Sequence, residues 1–360
     1  MSTSELESLR GPPAPESGGT TMKAVVQTRY GPAPEKLFQV AEIARPTLGD
    51  GEVLVRVHAA GVDRGTWHIM AGLPYPIRLA GFGLRRPKYA NPGRSLAGTV
   101  DAVGTDVAGF RPGDAVYGTC NGSFAEYAAV PTGQLAPKPA NLTFEQAAAA
   151  PISAVTALQG LRDRGRVQPG QTVLVIGASG GVGTFAVQIA KAFGAEVTGV
   201  SSTAKMDLVR SLGADHVIDY TADDADGGQR YDLVLDTGGH RSLRRLRRSL
   251  TPRGTLVIVG SETDGRWLGG FDRSIRALLW SPFVGQTLAP LASSEKAADL
   301  VALTGLVESG RVIPVVDRTY PLEEAAAAIR HMLDGRARGK VVVSVSPSDM
   351  QSPPPSGSTP

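Results

Sequence analysis

The stretch TVLVIGASGGVG, residues 172–183, joins a β-branched apolar run to a turn of small residues. The apolar run is typical of a buried parallel strand, and residues 184–191 have the periodicity of a helix. Strand, glycine turn and helix in this order are typical of pyrophosphate binding, because glycines allow close approach and the helix N-terminus offers free N–H groups. A second strand is expected at residues 196–200. We therefore predict a dinucleotide-binding turn, with a purely structural turn as the alternative.

The residues after the second expected strand indicate which dinucleotide binds. NAD-binding folds place Asp or Glu about 20 residues after the turn, where the carboxylate binds the ribose 2′-hydroxyl. This chain has Ser201, Ser202 and Lys205 there. Hydroxyl and ammonium groups attract a 2′-phosphate, so the sequence favours NADPH over NADH. The alternative for Lys205 is a solvated lysine at the start of a helix.

The composition excludes several classes of protein. The chain of 360 residues is 42% apolar and 20% charged, which fits a globular protein with two domains. A net charge of +3 is too small to indicate nucleic-acid binding, and the basic run at residues 241–248 has leucines at helical spacing, which favours an amphipathic helix with solvated arginines. No apolar stretch is long enough to span a membrane. Cys120 is the single cysteine, so disulfides within the chain are excluded and we expect a cytoplasmic protein.

The pattern of elements predicts an α/β fold with two domains. Residues 22–150 contain short strands and Gly/Pro turns, which predict a partly open β-barrel. Residues 151–285 alternate between helix and strand, which predicts a doubly wound parallel sheet. We expect residues 286–346 to return to the first domain, and we interpret residues 1–21 and 347–360 as a disordered leader and a flexible tail. The strands expected in the parallel sheet are residues 173–176, 196–200, 216–219, 233–236 and 255–260.

This arrangement resembles the medium-chain dehydrogenase/reductase superfamily, which implies a GroES-like barrel and a Rossmann domain. The motifs that carry the resemblance are GVD at residues 61–63, PG at 92–93, AGTV at 97–100, FRPGDAV at 110–116, SFAEY at 123–127 and ASGGVG at 178–183. The last motif is most similar to the zinc-free quinone oxidoreductase branch. A homodimer is an open expectation.

The resemblance also indicates where zinc would bind. Zinc-dependent members place a Cys after Gly-Val and a His-Glu pair after Pro-Gly, where this chain has Asp63, Arg94 and Ser95. An arginine would repel Zn²⁺, and one cysteine cannot supply the four ligands of a structural zinc site. We therefore predict no metal site.

In zinc-dependent members the metal stabilises the alkoxide during hydride transfer. A pocket without zinc suits acceptors that can delocalise the added negative charge themselves. We expect an enzyme that uses NADPH to reduce a quinone or an α,β-unsaturated carbonyl. One alternative is an enoyl reductase or alcohol dehydrogenase-type step in a biosynthetic pathway. Another is an NADPH-binding sensor or scaffold with vestigial catalysis.

Two residues are candidates for catalysis. Asp63 occupies the position of the family's Asn in Gly-Val-Asn-Pro, and Tyr75 lies in a segment that resembles the family's active-site tyrosine segment. A packed loop aromatic is the alternative for Tyr75. We expect Trp67 and His68 to be core or rim residues, and residues 79–88 to be an insertion beside the pocket.

The candidates for cofactor binding follow the strand ends and the resemblance. Thr156 matches the family's threonine at the nicotinamide carboxamide, with a helix-interior threonine that bonds its own backbone as the alternative. Tyr220 resembles the family's tyrosine beside the 2′-phosphate. The full predicted set is Thr156, Ser179, Gly180, Gly181, Val182, Gly183, Ser201, Ser202, Lys205, Tyr220, Thr237, Gly260, Ser261 and Lys340.

Overall fold

The structure is a computed structural model that describes residues 20–222, 228–260, 267 and 269–345. Most of the predicted leader and all of the predicted tail lie outside these residues. Thr21, which we had assigned to the leader, begins the first strand.

The N-terminal half builds two antiparallel sheets, a two-stranded one and a larger barrel-like one. Its strands are β1 (Thr21–Val26), β2 (Gln39–Ala44), β3 (Glu52–Val62), β4 (Ser95–Val103), β5 (Ala115–Thr119), β6 (Tyr127–Pro131) and β7 (Leu135–Pro137). The long strand β3 alternates buried and partly exposed residues over most of its length, as expected for a strand with one face on a core. β1 and β2 pair with each other as a separate two-stranded sheet.

The middle of the chain forms a six-stranded parallel sheet. Its strands are β8 (Thr172–Ile176), β9 (Glu196–Ser201), β10 (His216–Asp219), β11 (Tyr231–Asp236), β12 (Leu250–Ile258) and β13 (Thr287–Pro290). The order is β10-β9-β8-β11-β12-β13, so the chain reverses direction across the sheet between β8 and β11. Such a switch point opens a crevice at the carboxyl ends of the strands.

Helices cover both faces of this sheet, which confirms the doubly wound α/β prediction. Val173 and Val175 pack into one core, and Leu174 and Ile176 into the other. The described helices are α1 (Arg64–Ala71), α2 (Phe144–Ala149), α3 (Pro151–Gln159), α4 (Gly181–Ala192), α5 (Met206–Ser211), α6 (Leu243–Arg248), α7 (Phe271–Trp280), α8 (Ala297–Glu308) and α9 (Ala325–Leu333). Within the described ranges, none of them is both long enough and apolar enough to cross a bilayer.

The C-terminal segment joins the first sheet through β14 (Val316–Pro321) and β15 (Lys340–Ser344). The order of this sheet is β14-β15-β3-β4-β5-β7, and β6 also pairs with β3. β15 runs antiparallel to β3, which brings Val341 opposite Val62. The two ends of the chain therefore build one wall beside the parallel sheet.

Two expected boundaries differ from the structure. β13 pairs with β12 in the parallel sheet, so this sheet continues beyond the boundary we had predicted at residue 285. The apolar pattern of residues 312–316 predicts a strand, but residues 312–315 do not form one, and β14 starts at Val316. The reason is a side-chain contact, since Gln188 of α4 accepts from the Ile313 N–H at 2.8 Å and donates to its carbonyl oxygen at 3.0 Å.

Candidate active site

A cleft of about 1010 Å³ lies between the parallel sheet and the barrel. One side, which we call the Rossmann wall, consists of the glycine turn, the ends of β8, β9, β11 and β12, and residues of α3. The other side, the barrel wall, consists of the end of β3, the start of α1 and the segment from Met332 to Val341. Both walls contain residues that the sequence analysis predicted for the binding site.

The glycine turn connects β8 to α4 by a close backbone approach. A Cβ atom at Gly183 would lie 2.0 Å from the Gly177 carbonyl oxygen, so only glycine fits there. Gly177 has a φ of +80°, a conformation that glycine adopts without strain. Gly180, Gly181 and Val182 line the cleft at the start of α4, whose first N–H groups have no partner within the helix. A phosphate group fits this turn.

Almost all of the predicted cofactor residues lie together in this cleft. Gly183 is behind the turn, where it allows helix and strand to pack closely, and Ser261 lies outside the described residues. The predicted residues that line the cleft are Thr156, Ser179, Gly180, Gly181, Val182, Ser201, Ser202, Lys205, Tyr220, Thr237, Gly260 and Lys340.

Lys205 connects the two walls. Its Nζ donates hydrogen bonds to the carbonyl oxygens of Gly335 at 2.7 Å and Ala337 at 2.8 Å, both in the barrel wall. Partial burial lowers the pKa of this amine. Ser201, Ser202 and Tyr220 line the same end of the cleft. The ammonium group is therefore held where the sequence predicted a phosphate site.

Lys340 is a buried cation at the centre of the cleft. It is only 2% exposed, and its Nζ donates to the Val62 carbonyl oxygen at 2.7 Å and to Ser153 Oγ at 3.0 Å. Burial lowers the pKa of this amine, and the nearby Asp63 carboxylate acts in the opposite direction. A Cβ at Gly181 would lie 3.1 Å from the Lys340 Cδ, so the lysine stem packs against the glycine turn.

Asp63 lines the cleft and also caps a helix. Its Oδ1 accepts a hydrogen bond from the Thr66 N–H at 2.9 Å, which makes it the N-cap of α1. Its Oδ2 is buried without a hydrogen-bond partner among the described residues. We did not predict this structural role from the sequence, although Asp directly before a helical segment is a common N-cap.

Thr156 does not bond its own backbone through its side chain. Its Oγ1 donates to Ser293 Oγ at 3.2 Å, and both residues line the cleft. The pair joins α3 to the segment that follows β13. Thr156 lies inside α3, as the alternative expected, but its hydroxyl bonds Ser293 and not the backbone of its own helix.

Tyr75 is the predicted catalytic residue that does not line the cleft. Gly72 ends α1 in a left-handed conformation, and the chain then turns away. Arg78 donates to the Gly72 carbonyl oxygen at 2.9 Å and lies 4.8 Å from the Tyr75 ring centre. The other side of that ring meets Trp267 edge-on at 5.2 Å. These contacts place Tyr75 in a packed position outside the described lining of the cleft, and its catalytic role stays a prediction.

Several residues that line the cleft were not predicted as site residues, among them His68, Arg241 and Arg245. His68, which we expected in the core or rim, lines the cleft, and its Nδ1 bonds the Leu73 carbonyl oxygen at 2.9 Å. Arg241 and Arg245 also line the cleft, although their run had been interpreted as a solvated face. Their position just after β11 could have placed them there, because the carboxyl ends of parallel strands share one edge of the sheet.

The charge of the cleft is strongly one-sided. Asp63 is the one acidic side chain among the described residues that line it. The basic side chains are Arg64, Lys205, Arg241, Arg245 and Lys340. A cleft with this balance and a glycine turn suits a ligand with several phosphate groups.

Asp63, Arg94 and Ser95 lie at the positions where zinc-dependent members of the family hold zinc. In the described part of the chain, no three His, Cys, Asp or Glu side chains lie close enough together to hold one metal ion. Arg94 pairs with Glu295 at 3.4 Å. Burial raises the pKa of the Cys120 thiol to about 12, which disfavours the thiolate that zinc requires.

Comparison with known families agrees with this architecture. The family described as "Alcohol dehydrogenase GroES-like domain" matches residues 49–140, and the family described as "Zinc-binding dehydrogenase" matches residues 212–343. A quinone oxidoreductase structure from Coxiella burnetii superimposes with a TM-score of 0.75 at 26% identity, covering 91% of this chain and 100% of that one.

Curated relatives point to the same family. The chain is 33% identical to the mouse (Mus musculus) mitochondrial NAD(P)H oxidoreductase RTN4IP1, with 94% of this chain and 92% of that protein covered. It is 32% identical to 2-methylene-furan-3-one reductase of Solanum lycopersicum, with 89% and 79% covered. It is also 33% identical to the spectinabilin polyketide synthase system protein NorB of Streptomyces orinoci, over 93% of this chain but only 14% of that protein. The chain therefore belongs to the medium-chain dehydrogenase/reductase superfamily, in its quinone oxidoreductase-like branch, and is an NAD(P)H-dependent oxidoreductase of that family.

Proposed function

We propose that this protein is a cytoplasmic enzyme that uses NADPH to reduce a quinone or the C=C bond of an α,β-unsaturated carbonyl, without zinc. The observation that carries the proposal is the cleft itself, whose lining, among the described residues, combines a glycine turn and five basic side chains with a single carboxylate. Such a site favours a dinucleotide with an additional phosphate.

The preference for NADPH is supported by the end of the cleft around Lys205. Ser201, Ser202 and Tyr220 line this end, and no carboxylate does so among the described residues. Asp219, the neighbour of Tyr220, accepts hydrogen bonds from the hydroxyls of Thr203 and Thr221 instead. These bonds lower the pKa of Asp219 to about 2. A carboxylate that binds a ribose 2′-hydroxyl is the feature that would favour NADH.

The acceptor class is supported by the donors at the centre of the cleft. When bound, NADPH supplies a hydride to a conjugated acceptor, whose oxygen then gains negative charge. The Lys340 ammonium and the hydroxyls of Ser153 and Thr156 are the groups of this chain that can donate to such an oxygen. Ile152, Val259 and Leu291 are the apolar lining that limits water there. Two similar proteins, a quinone oxidoreductase and 2-methylene-furan-3-one reductase, are named for acceptors of this class.

Enoyl reduction in a biosynthetic pathway is the second candidate. It is favoured by the match between 93% of this chain and one part of a polyketide synthase system protein. The hydride step would be the same, and the acceptor would be an enoyl thioester. Oxidation of NADPH with quinones, small enones and an enoyl thioester, followed at 340 nm, separates the two candidates by kcat/KM. No turnover with any of them would favour a sensor or scaffold.

The cofactor proposal is tested with Lys205→Ala. Hydrogen bonds to charged groups contribute about 1.5–3 kcal/mol, so NADPH binding should weaken about tenfold to a hundredfold, while NADH binding changes little. Lys191→Ala is the matched control, because Lys191 forms a surface pair with Asp215 at 2.8 Å in the same domain. An equal loss for both cofactors would mean that Lys205 acts only through its bonds to the barrel wall.

The zinc-free part of the proposal is tested by metal analysis. The purified protein should contain no stoichiometric zinc and should keep its activity in a chelator. About one zinc per chain, lost together with activity, would overturn it.

A further inference from the structure

Asp236 is a fully buried carboxylate at the end of β11. It is 0% exposed, and its Oδ1 accepts a hydrogen bond from the Gly239 N–H at 3.2 Å. Its backbone carbonyl oxygen accepts from the N–H groups of Val259 at 3.0 Å and Gly260 at 3.2 Å. One residue therefore holds the loops that follow β11 and β12.

Arg273 of α7 completes this cluster. It is 5% exposed, and its Nη2 pairs with Asp236 Oδ2. Its Nη1 donates to the Gly260 carbonyl oxygen at 3.3 Å. A planar guanidinium can bind a carboxylate and a carbonyl at once, which an ammonium on a flexible stem does less well. The ion pair thus fixes α7 against both loops.

These loops belong to one half of the Rossmann wall. Thr237, Gly238, Val259 and Gly260 line the cleft, whereas Asp236 and Arg273 do not. In a doubly wound fold a dinucleotide lies across the switch point, with one nucleotide over each half of the sheet. The residues predicted for the 2′-phosphate follow β9 and β10, so the other half, at β11 and β12, faces the nicotinamide nucleotide.

We propose that Asp236 and Arg273 are positioning residues for the nicotinamide half of the cofactor. They act through the loops after β11 and β12 and do not touch the cofactor. The inference rests on the proposed dinucleotide function. It assigns the ion pair to the nicotinamide half alone, because the contacts of Ser201, Ser202 and Lys205 do not involve this pair.

The test compares two ligands on the intact protein. NADPH carries both halves, and adenosine 2′,5′-bisphosphate carries the adenosine half alone. Arg273→Ala should weaken NADPH binding by about tenfold or more, because residues 239 and 260 lose their link to α7, and should change adenosine 2′,5′-bisphosphate binding by less than about twofold. It should also reduce the fluorescence enhancement of bound NADPH, which reports the surroundings of the nicotinamide ring.

The matched control is Arg276→Ala on the same helix. Arg276 pairs with Asp272 at 2.6 Å on the surface, and this variant should bind both ligands as the unmodified protein does. Because Arg273→Ala leaves a buried carboxylate unpaired, which can prevent folding, the double variant Asp236→Asn with Arg273→Gln provides a neutral pair. Glutamine is too short to keep the bond to Gly260, so the double variant should show the same selective loss of NADPH binding.

Two outcomes would overturn the inference. Equal weakening of both ligands in a folded variant would make the pair a general structural element, and unchanged NADPH binding would remove it from cofactor positioning. Failure of the unmodified protein to bind either ligand would instead overturn the proposed cofactor, and with it the inference that depends on it.

Discussion

The two walls of the cleft are built from contacts of very different range. The Rossmann wall consists of the ends of neighbouring parallel strands, which share one edge of the sheet by construction. The barrel wall joins distant parts of the chain, as in the bond from Lys340 to the Val62 carbonyl oxygen across 278 positions. The glycine turn of the first wall is set by local sequence, whereas the second wall is set by long-range antiparallel pairing between β15 and β3.

This difference indicates how each wall responds to change. In the Rossmann wall the backbone of the glycine turn forms the binding surface. A side chain larger than that of glycine at the turn should therefore disrupt both the local fold and cofactor binding. In the barrel wall side chains such as Lys340 and Asp63 supply charge, so substitutions should change affinity and leave the fold in place. The predictions below test this contrast, beginning with the largest effect.

Gly183→Ala should have the largest effect. Its Cβ would lie 2.0 Å from the Gly177 carbonyl oxygen and 2.7 Å from the Ala178 Cα, and both are backbone atoms that cannot turn aside. We expect a loss of about 1–3 kcal/mol in the free energy of unfolding and a loss of NADPH binding of about a hundredfold, equivalent to ~2.7 kcal/mol. Chemical denaturation and fluorescence titration measure the two quantities.

Gly305→Ala is the control for this prediction. Gly305 lies inside α8, and a Cβ there would meet no atom within 4 Å. Alanine should therefore stabilise the protein by about 0.4–1 kcal/mol and leave NADPH binding unchanged. Normal stability and binding in Gly183→Ala would contradict the view that the turn is set by backbone contact.

The same contrast explains how far the sequence predicts this molecule. The strand, turn and helix at residues 172–191 follow from local pattern. The position of most of the predicted cofactor residues in one cleft also follows, because strand ends in a parallel sheet meet at one edge. The position of Tyr75 outside the cleft lining depends on contacts with Arg78 and Trp267, which no local pattern reveals. The second role of Asp63, as a helix cap, and the buried partners of Lys340 are likewise tertiary properties.

Lys340→Met should have an intermediate effect. Loss of the ammonium should weaken NADPH binding by about tenfold at neutral pH, equivalent to ~1.4 kcal/mol. Because burial lowers the pKa of Lys340 from its ordinary value of 10.5, the amine of the unmodified protein loses its charge at a lower pH than a free lysine does. NADPH binding to the unmodified protein should therefore weaken as the pH rises from neutral, at pH values that are still below 10.5.

The pH series separates Lys340 from Lys205, whose pKa is also lowered. Fluorescence titrations between neutral pH and pH 10 should show a smaller loss of affinity with pH in Lys340→Met than in the unmodified protein. Lys36→Met is the control, because Lys36 lies outside the cleft. Parallel pH curves for Lys340→Met and the unmodified protein would show that the charge of Lys340 does not act on the cofactor.

Tyr75→Phe should have the smallest effect. This variant tests whether Tyr75, the catalytic residue predicted from the sequence, takes part in the site on the barrel wall. The Tyr75 ring packs between Arg78 and Trp267, and its hydroxyl makes no hydrogen bond with the described residues. Phenylalanine keeps the ring and both contacts, so kcat, KM and NADPH affinity should each change by less than about twofold, within the range usual for substitutions away from a site.

Tyr30→Phe is an informative comparison, because it removes a hydroxyl that bonds the carbonyl oxygens of Phe82 at 2.7 Å and Gly83 at 2.6 Å. If kcat and kcat/KM instead fell together in Tyr75→Phe, the hydroxyl would act in the transition state. Tyr75 would then have to reach the substrate by a movement of the segment after α1.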